Sequence, residues 1–276
     1  MSALAIADQR WRIIGLALLV AIVATPNVYL AARSIGIVLS GSPVVDWHHF
    51  VEAGRRVHQG GLYDTAFDYG FRYSPVLAIG FGFIAPIGEL AWRILHIGAA
   101  LALPSWPMRL VTLASWPFWF DVEAGNVLVF VLLGGAWALR GNRVAIGAFF
   151  LMAILMPRPL MLPIVAWLLW RHPGWRVPFA GIFLLHALAV WTTGWGAEWV
   201  GVLINSTDEV GSPLNVGPSR FIGLTWAVVA LPVAAWLTWR GRLGWASLLA
   251  APYWLPYYLL MPVLEIDHRR WTRAPA

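Results

Sequence analysis

The sequence predicts an all-α integral membrane protein, a single polytopic helical bundle over residues 1–276. Hydrophobic residues make up 60% of the chain, the mean hydropathy is +0.70, and only 12% of the residues are charged. This composition is too apolar for the surface of a soluble domain. Apolar stretches recur from Ile13 to Leu264, and basic turns at 140–143 and 171–176 separate several of them. At roughly 20 apolar residues per helix, these stretches predict roughly eight or nine membrane segments.

Charge and cysteine content exclude several classes of partner and chemistry. All 19 basic residues are arginines, and they are scattered in pairs between apolar runs rather than gathered on one basic face. We therefore expect membrane lipids and not nucleic acid as partners. The chain has no cysteine, which excludes disulfides and zinc-thiolate sites. Cysteine content therefore does not indicate whether the protein faces an oxidising or a reducing compartment.

The N-terminal stretch "ADQRWRIIGLALLVAIVA" has the basic and apolar order of a secretory signal peptide. Apolar sequence resumes at Val28, however, and no small-x-small cleavage site ends the first run. We therefore expect an uncleaved first transmembrane helix with its N-terminus in the cytoplasm, because Arg10 and Arg12 precede it.

Two polar segments, 41–70 and 192–220, follow apolar runs. Counting membrane crossings from a cytoplasmic N-terminus places both segments on the outside. Within the first, apolar positions and one glycine recur at helical spacing at Trp47, Phe50, Val51, Gly54 and Val57. This spacing predicts an amphipathic helix over 45–59 that lies on the membrane surface. The paired glycines at 60 and 61 then end the helix.

The segment between the two basic turns is interrupted by the motif "MPRP". If both turns are cytoplasmic, the segment runs outward from the cytoplasm and returns as a helical hairpin with Arg158 near its tip, since Pro157 and Pro159 break the helix. An arginine at that depth is a candidate functional residue. The last apolar region, 245–264, contains three prolines and either spans the bilayer or only enters it.

Asp46 is the main candidate for catalysis, because it directly follows the first apolar run and lies beside Trp47 and near Phe50. A carboxylate partly desolvated at the membrane boundary has a raised pKa and can serve as a general base. The alternative is structural, since aspartate is also a preferred N-cap of a helix such as 45–59. The sequence leaves both interpretations open.

Two neighbouring histidines, His48 and His49, lie on different faces of the predicted helix, so we expect no shared metal ion. One of them can hydrogen-bond Asp46 or a phosphate, and the alternative is that both are solvated at the interface. Asp64 and Asp68 form a possible second acid site, although aspartates near a turn more often cap or solvate it.

Two arginines are candidate phosphate ligands, because a guanidinium binds phosphate through a planar fork of N–H donors. Arg158 lies at the predicted hairpin tip, and Arg72 lies where the first polar segment re-enters the membrane. For Arg72 the alternative is a side chain that extends to the interface without a ligand.

The order of several short motifs resembles glycosyltransferase family 87, the polyprenyl-phosphate-mannose-dependent mannosyltransferases of the GT-C superfamily. The resemblance covers about the first two-thirds of the chain. The matching positions are Asp46, Phe50, Ala53, Gly54, Gly60, Tyr63, Asp64, Phe71, Tyr73, Ser74 and Pro75, followed by "GN" at 125–126, "PRP" at 157–159 and "WRHPGWR" at 170–176.

This resemblance implies a GT-C-like bundle in a bacterial plasma membrane, with its active site facing outward. It implies transfer of a hexose, most often mannose, from a polyprenyl-phosphate donor to a lipid or glycan acceptor, without a metal or another cofactor. Asp46 matches the catalytic acid of the first outer loop, and we expect Arg158 and Arg72 to bind the donor phosphate. The residues expected to line the site are His48, His49, Tyr73 and Asn126.

Three features depart from the family pattern and keep other functions open. Asn126 stands where a glutamine is usual, Arg158 stands where a lysine is usual, and the chain is shorter than usual. One alternative is a truncated, non-catalytic member that binds a lipid-linked substrate or a partner enzyme. A small transporter or flippase is a second alternative, although the charges are concentrated in the outer segments rather than deep in several helices.

The predicted topology can be tested by thiol labelling, because the chain has no native cysteine. We expect an impermeant thiol reagent to label a single cysteine at Gly60 in intact cells and to leave one at Gly141 unlabelled. The reverse pattern would place Asp46 in the cytoplasm and contradict an outward-facing site.

Overall fold

The computed structural model describes residues 3–64, 71–205 and 208–273, and every regular element in these ranges is a helix. The α-helices are α1 (Ala3–Leu39), α2 (Val45–Gln59), α3 (Pro75–Ile84), α4 (Gly88–Leu101), α5 (Trp106–Leu113), α6 (Trp116–Ala124), α7 (Leu128–Leu139), α8 (Arg143–Leu155), α9 (Leu162–Arg171), α10 (Arg176–Thr192), α11 (Gly196–Asn205), α12 (Ser219–Ile222), α13 (Trp226–Trp239), α14 (Leu243–Ala250) and α15 (His268–Arg273). The 3₁₀ helices are Ala85–Ile87, Pro159–Met161, Pro173–Trp175, Asp208–Gly211, Gly223–Thr225 and Pro256–Asp267. The predicted all-α class is confirmed.

Four helical segments of the described chain are long and apolar enough to cross a bilayer, which supports an integral membrane protein. They are Ala21–Leu39, Pro75–Leu101, Pro173–Thr192 and Ser219–Trp239. Three shorter apolar helical segments, Leu128–Leu139, Arg143–Leu155 and Pro159–Arg171, are below that length. The predicted number of eight or nine membrane segments is therefore not confirmed.

The helix predicted over 45–59 is confirmed as α2, and it ends at Gly60, whose φ of 100° favours glycine. The sequence predicted that the apolar face of this helix lies on the membrane surface, and the structure differs. That face is buried, and α2 packs extensively against α3. The buried residues of α2 are Trp47, Phe50, Ala53, Gly54 and Val57.

Two glycines bring the backbones of α2 and α3 into close contact. A Cβ atom on Gly54 would lie 2.4 Å from the backbone nitrogen of Gly82, and one on Gly82 would lie 3.3 Å from the backbone oxygen of Gly54. Beside this contact, Phe50 stacks on Phe81 with ring centroids 4.4 Å apart. The absence of side chains at both glycines therefore allows α2 to pack closely against the bundle.

The helices α7 and α8 connect the two ends of the molecule. The basic turn at 140–143 joins them, and Asn142 caps α8 by accepting a 3.0 Å hydrogen bond from the backbone nitrogen of Ala145. At the other end, α7 begins just after Asn126, and α8 ends just before Arg158. With about 1.5 Å of rise per residue, the 12 residues of α7 separate the two ends by about 18 Å.

The predicted break at "MPRP" is confirmed, since α8 ends at Leu155 and a 3₁₀ turn at Pro159–Met161 leads into α9. Arg158 lies in the break with an extended backbone, at a φ of −95° and a ψ of 129°. The broken helix therefore places Arg158 between two short helices, as the proline spacing predicts.

The C-terminal apolar region enters the core of the protein and is not one of the four candidate spans. Its 3₁₀ helix, Pro256–Asp267, packs on α14, α6, α5 and α7. Asp267 pairs with Arg140, so this helix ends near the basic turn between α7 and α8. It begins at the opposite end of the molecule, where Tyr257 and Tyr258 are buried.

We expect the substitution Gly54→Ala to destabilise the protein by about 1–3 kcal/mol, because its Cβ atom would overlap the α3 backbone. Gly80→Ala in α3 is the matched control, since a Cβ atom there meets nothing within 4 Å. Thermal unfolding of both variants in detergent measures the difference. Equal melting temperatures would contradict tight packing at this contact.

Candidate functional site

A cavity of about 300 Å³ lies at the end of the molecule opposite the basic turn at 140–143. It is lined by the start of α2, residues 71–73, the loop between α6 and α7, the break after α8, α11, and the C-terminal segment from 251 to 258. It brings together six of the seven site residues that the sequence predicts. These are Asp46, His49, Arg72, Tyr73, Asn126 and Arg158.

Asp46 is half-buried in the first turn of α2, where its negative charge complements the helix dipole. The N-cap of α2 is Val44, and no side chain makes the capping hydrogen bond. The carboxylate oxygen Oδ2 of Asp46 instead accepts a hydrogen bond of 2.5 Å from Nδ2 of Asn126. The interpretation of Asp46 as a helix cap is therefore wrong, and its side chain faces the cavity.

The side-chain amide of Asn126 joins the acidic and basic groups of the cavity. Its nitrogen donates to Asp46, while its oxygen Oδ1 accepts from Nη1 of Arg158 at 3.3 Å and from the backbone nitrogen of Val127 at 2.8 Å. Asn126 is only 2% exposed, so its polar atoms depend on these partners. The Asn126 amide therefore hydrogen-bonds both the Asp46 carboxylate and the Arg158 guanidinium, and both groups line the same cavity.

Close packing around Gly125 fixes the loop that carries Asn126. Gly125 has a φ of 71°, and a Cβ atom there would lie 2.0 Å from Cγ1 of Val44. Nε1 of Trp92 donates to the backbone oxygen of Gly125 at 2.8 Å, and Trp92 also stacks on Trp47 with centroids 4.9 Å apart. The loop therefore lies directly against the start of α2, which brings Asn126 to Asp46.

A buried pair, His96 and Asp121, contacts the backbone of this loop and of the first turn of α7. Nε2 of His96 lies 2.5 Å from the backbone oxygen of Asn126 and 4.0 Å from Oδ2 of Asp121. Oδ2 of Asp121 accepts a 2.9 Å hydrogen bond from the backbone nitrogen of Val129, in the first turn of α7. The sequence analysis singled out neither residue, although a charged or titratable side chain inside apolar sequence is a usable signal.

The electrostatic surroundings of Asp46 suit a carboxyl that exchanges a proton. Burial raises the pKa of Asp46 above its ordinary value, while the hydrogen bond from Asn126 and the positive charges of Arg158 and His49 partly oppose that rise. Two arginines and one aspartate line the cavity, so its formal charge favours an anionic ligand.

Three tyrosines surround the guanidinium of Arg158 at distances typical of cation–π contacts. Its Cζ atom lies 5.0 Å from the ring centroid of Tyr73, 5.6 Å from that of Tyr258 and 6.0 Å from that of Tyr257. The sequence predicted Tyr73 but missed the two C-terminal tyrosines. The motif "YWLPYY" at 253–258 is the signal, since buried tyrosines need polar partners.

Two of the remaining candidates, His48 and Asp64, lie away from the cavity. His48 is 56% exposed and pairs with Glu89 at 2.7 Å, outside the lining of the cavity. Asp64 lines a separate surface groove with Tyr63 and Trp195. Asp68 lies outside the described residues. The structure therefore does not bring His48 or Asp64 to the cavity that holds Asp46.

Among the described residues, no group of three or more His, Asp or Glu side chains is placed to share a metal ion.

Comparison of the chain with protein-family models, with curated proteins and with solved structures found no match. The chemistry of the cavity is therefore inferred from its own residues.

Proposed function

We propose that the protein is a membrane glycosyltransferase that moves a hexose, most simply mannose, from a polyprenyl-phosphate donor to a hydroxyl of a lipid or glycan acceptor. The observation that supports this most is the pairing of Asp46 and Arg158 through the Asn126 amide on one cavity. A base and a cation held side by side are what sugar transfer from a phosphate requires. The sequence resemblance to family 87 supports the same reaction.

In the proposed reaction Asp46 acts as the general base. The acceptor oxygen attacks the anomeric carbon of the sugar, and its proton passes to the Asp46 carboxylate. The bond between that carbon and the phosphate oxygen breaks, and its electron pair leaves with the phosphate. Attack from the face opposite the phosphate inverts the anomeric centre, as the family resemblance implies. The raised pKa of Asp46 favours this role, because it improves proton acceptance.

The leaving phosphate gains one negative charge in this step, and guanidinium groups at the cavity can stabilise it. Arg158 and Arg72 both line the cavity with Asp46. The rings of Tyr73 and Tyr258 contact the Arg158 cation, and a guanidinium can bind phosphate through a fork of N–H donors. Arg158 and Arg72 are therefore assigned to the donor phosphate.

The distribution of basic residues supports a site on the outer face of the plasma membrane. The cavity and the basic turn at 140–143 lie at opposite ends of α7. If that turn is cytoplasmic, as the positive-inside rule expects, the cavity faces outward. The shorter helical segments Leu128–Leu139, Arg143–Leu155 and Pro159–Arg171 would then be embedded beside the four candidate spans in a GT-C-like bundle.

The substitution Asp46→Asn tests the proposed base. Asparagine can still accept the hydrogen bond from Asn126, so folding should be preserved, but it cannot take up the acceptor proton. We expect transfer of radiolabelled mannose from polyprenyl-phosphate mannose to a lipid extract to fall by a factor on the order of 10² to 10⁴. In the parent, transfer should also fall as the pH decreases through the raised pKa of Asp46.

The matched control is Asp64→Asn, which makes the same chemical change in the separate surface groove. We expect this variant to transfer sugar at close to the parent rate. Near-parental transfer by a folded Asp46→Asn protein, or loss of transfer in Asp64→Asn alone, would remove Asp46 from the catalytic role.

A further inference from the structure

His96 is fully buried in α4, and both of its ring nitrogens face carbonyl oxygens. Nδ1 lies 2.8 Å from the backbone oxygen of Trp92, and Nε2 lies 2.5 Å from the backbone oxygen of Asn126. A carbonyl oxygen only accepts hydrogen bonds, so each nitrogen must carry a proton to make its contact. Neutral histidine has one ring N–H group, whereas the imidazolium has two. The hydrogen-bond geometry of His96 therefore fits the charged ring.

Asp121 on α6 lies beside this ring and supplies the opposite charge. Its side chain is fully buried, and its Oδ2 lies 4.0 Å from Nε2 of His96. Oδ2 also accepts a hydrogen bond from the backbone nitrogen of Val129, while Oδ1 makes no hydrogen bond to any part of the chain that the structure describes. A protonated carboxyl would need an acceptor for its O–H group. These surroundings therefore suit the ionised form of Asp121.

Burial opposes an isolated charge on either side chain, and pairing the two charges offsets that penalty. The imidazole is enclosed edge to face by the rings of Trp92 and Phe130, at centroid distances of 5.2 Å and 4.9 Å. The negative charge of Asp46 also acts on Asp121. A positive charge on His96 therefore reduces the repulsion between the two carboxylates.

The same two residues bind both backbone groups of Asn126. The backbone oxygen of Asp121 accepts from the backbone nitrogens of Gly125 at 2.8 Å and of Asn126 at 3.1 Å. His96 contacts the carbonyl oxygen of Asn126. The side-chain oxygen of Asn126 accepts two other hydrogen bonds, so its nitrogen Nδ2 is the group that faces Asp46. The orientation of the amide therefore follows from how this loop is held.

We infer that His96 and Asp121 form a buried imidazolium–carboxylate pair, and that this pair positions the Asn126 amide to donate to Asp46. Both are positioning residues, since neither lines the cavity. Their role rests on the proposed function, in which Asp46 must be ionised to take the proton of the acceptor. The hydrogen bond from Asn126 lowers the pKa of Asp46 and so opposes the effect of burial.

NMR spectroscopy of the nanodisc-embedded protein with ¹⁵N-labelled histidine tests the charge of His96 without any substitution. At a pH of about 8 solvated histidines are neutral, because their ordinary pKa is about 6.5. Among the seven histidines of the chain, we expect one with both ring nitrogens protonated at this pH. That signal should be absent from His96→Gln, which identifies it. It should also be lost in Asp121→Asn, which removes the opposite charge.

Titration of the Asp46 carboxyl tests the positioning role. The carboxyl carbon of ¹³C-labelled aspartate reports its protonation, and Asp46→Asn identifies the signal. We expect the midpoint to rise by about one pH unit in His96→Gln and in Asp121→Asn, because Asp46 then loses the hydrogen bond that favours its ionised form. Sugar transfer by both variants should require a correspondingly higher pH.

The matched control is His186→Gln, which makes the same substitution at another buried histidine. His186 is 7% exposed, and its Nε2 hydrogen-bonds Ser74 at 2.7 Å rather than the loop of Asn126. We expect this variant to unfold at a lower temperature and to leave the titration of Asp46 at the parental midpoint. A loss of stability alone would therefore not reproduce the expected shift.

Two results would overturn the inference. Parent spectra in which every histidine is neutral at a pH of about 8 would exclude the charged pair. A parental midpoint for Asp46 in both His96→Gln and Asp121→Asn would exclude the positioning role. The proposed function fails on a different result, namely parental sugar transfer by Asp46→Asn. In that case the expected spectra would still establish the buried pair and its effect on Asp46.

Discussion

The close packing of α2 against α3 determines where Asp46 lies, and the candidate site depends on it. Gly54 and Gly82 allow the two backbones to approach, and the aromatic side chains of α2 fill the space beside them. A second close approach, of Gly125 to Val44, holds the loop before α7 against the start of α2. The first contact joins two backbones, the second joins the Gly125 backbone to the Val44 side chain, and together they place Asp46 beside Asn126.

The Asn126 amide converts this packing into a polar site. An amide has a donor and an acceptor side, and here one side faces the Asp46 carboxylate and the other faces the Arg158 guanidinium. The two charged groups are therefore held close together without a direct ion pair between them, and each remains at the wall of the cavity. An arrangement of this kind keeps a base available for the acceptor and a cation available for the phosphate.

Local sequence patterns predicted the elements, while the contacts between distant segments could not be read from them. The period of the apolar positions predicted α2, and Pro157 and Pro159 predicted the break at Arg158, because both signals act within a few residues. Asp46 and Asn126 are 80 positions apart, and their contact depends on how Gly125 and Trp92 pack. Tyr257 and Tyr258 reach Arg158 because the C-terminal 3₁₀ helix enters the core. The apolar composition of 245–264 was equally compatible with a membrane span.

A structure of the nanodisc-embedded protein with a bound polyprenyl-phosphate hexose, determined by electron cryomicroscopy, tests the central claim most directly. The account predicts phosphate oxygens about 2.7–2.9 Å from the guanidinium nitrogens of Arg158, as in charge-assisted hydrogen bonds. It also predicts the anomeric carbon on the side of the cavity that faces Asp46. Phosphate bound elsewhere, for example in the groove of Tyr63 and Trp195, or a sugar remote from Asp46, would contradict the account.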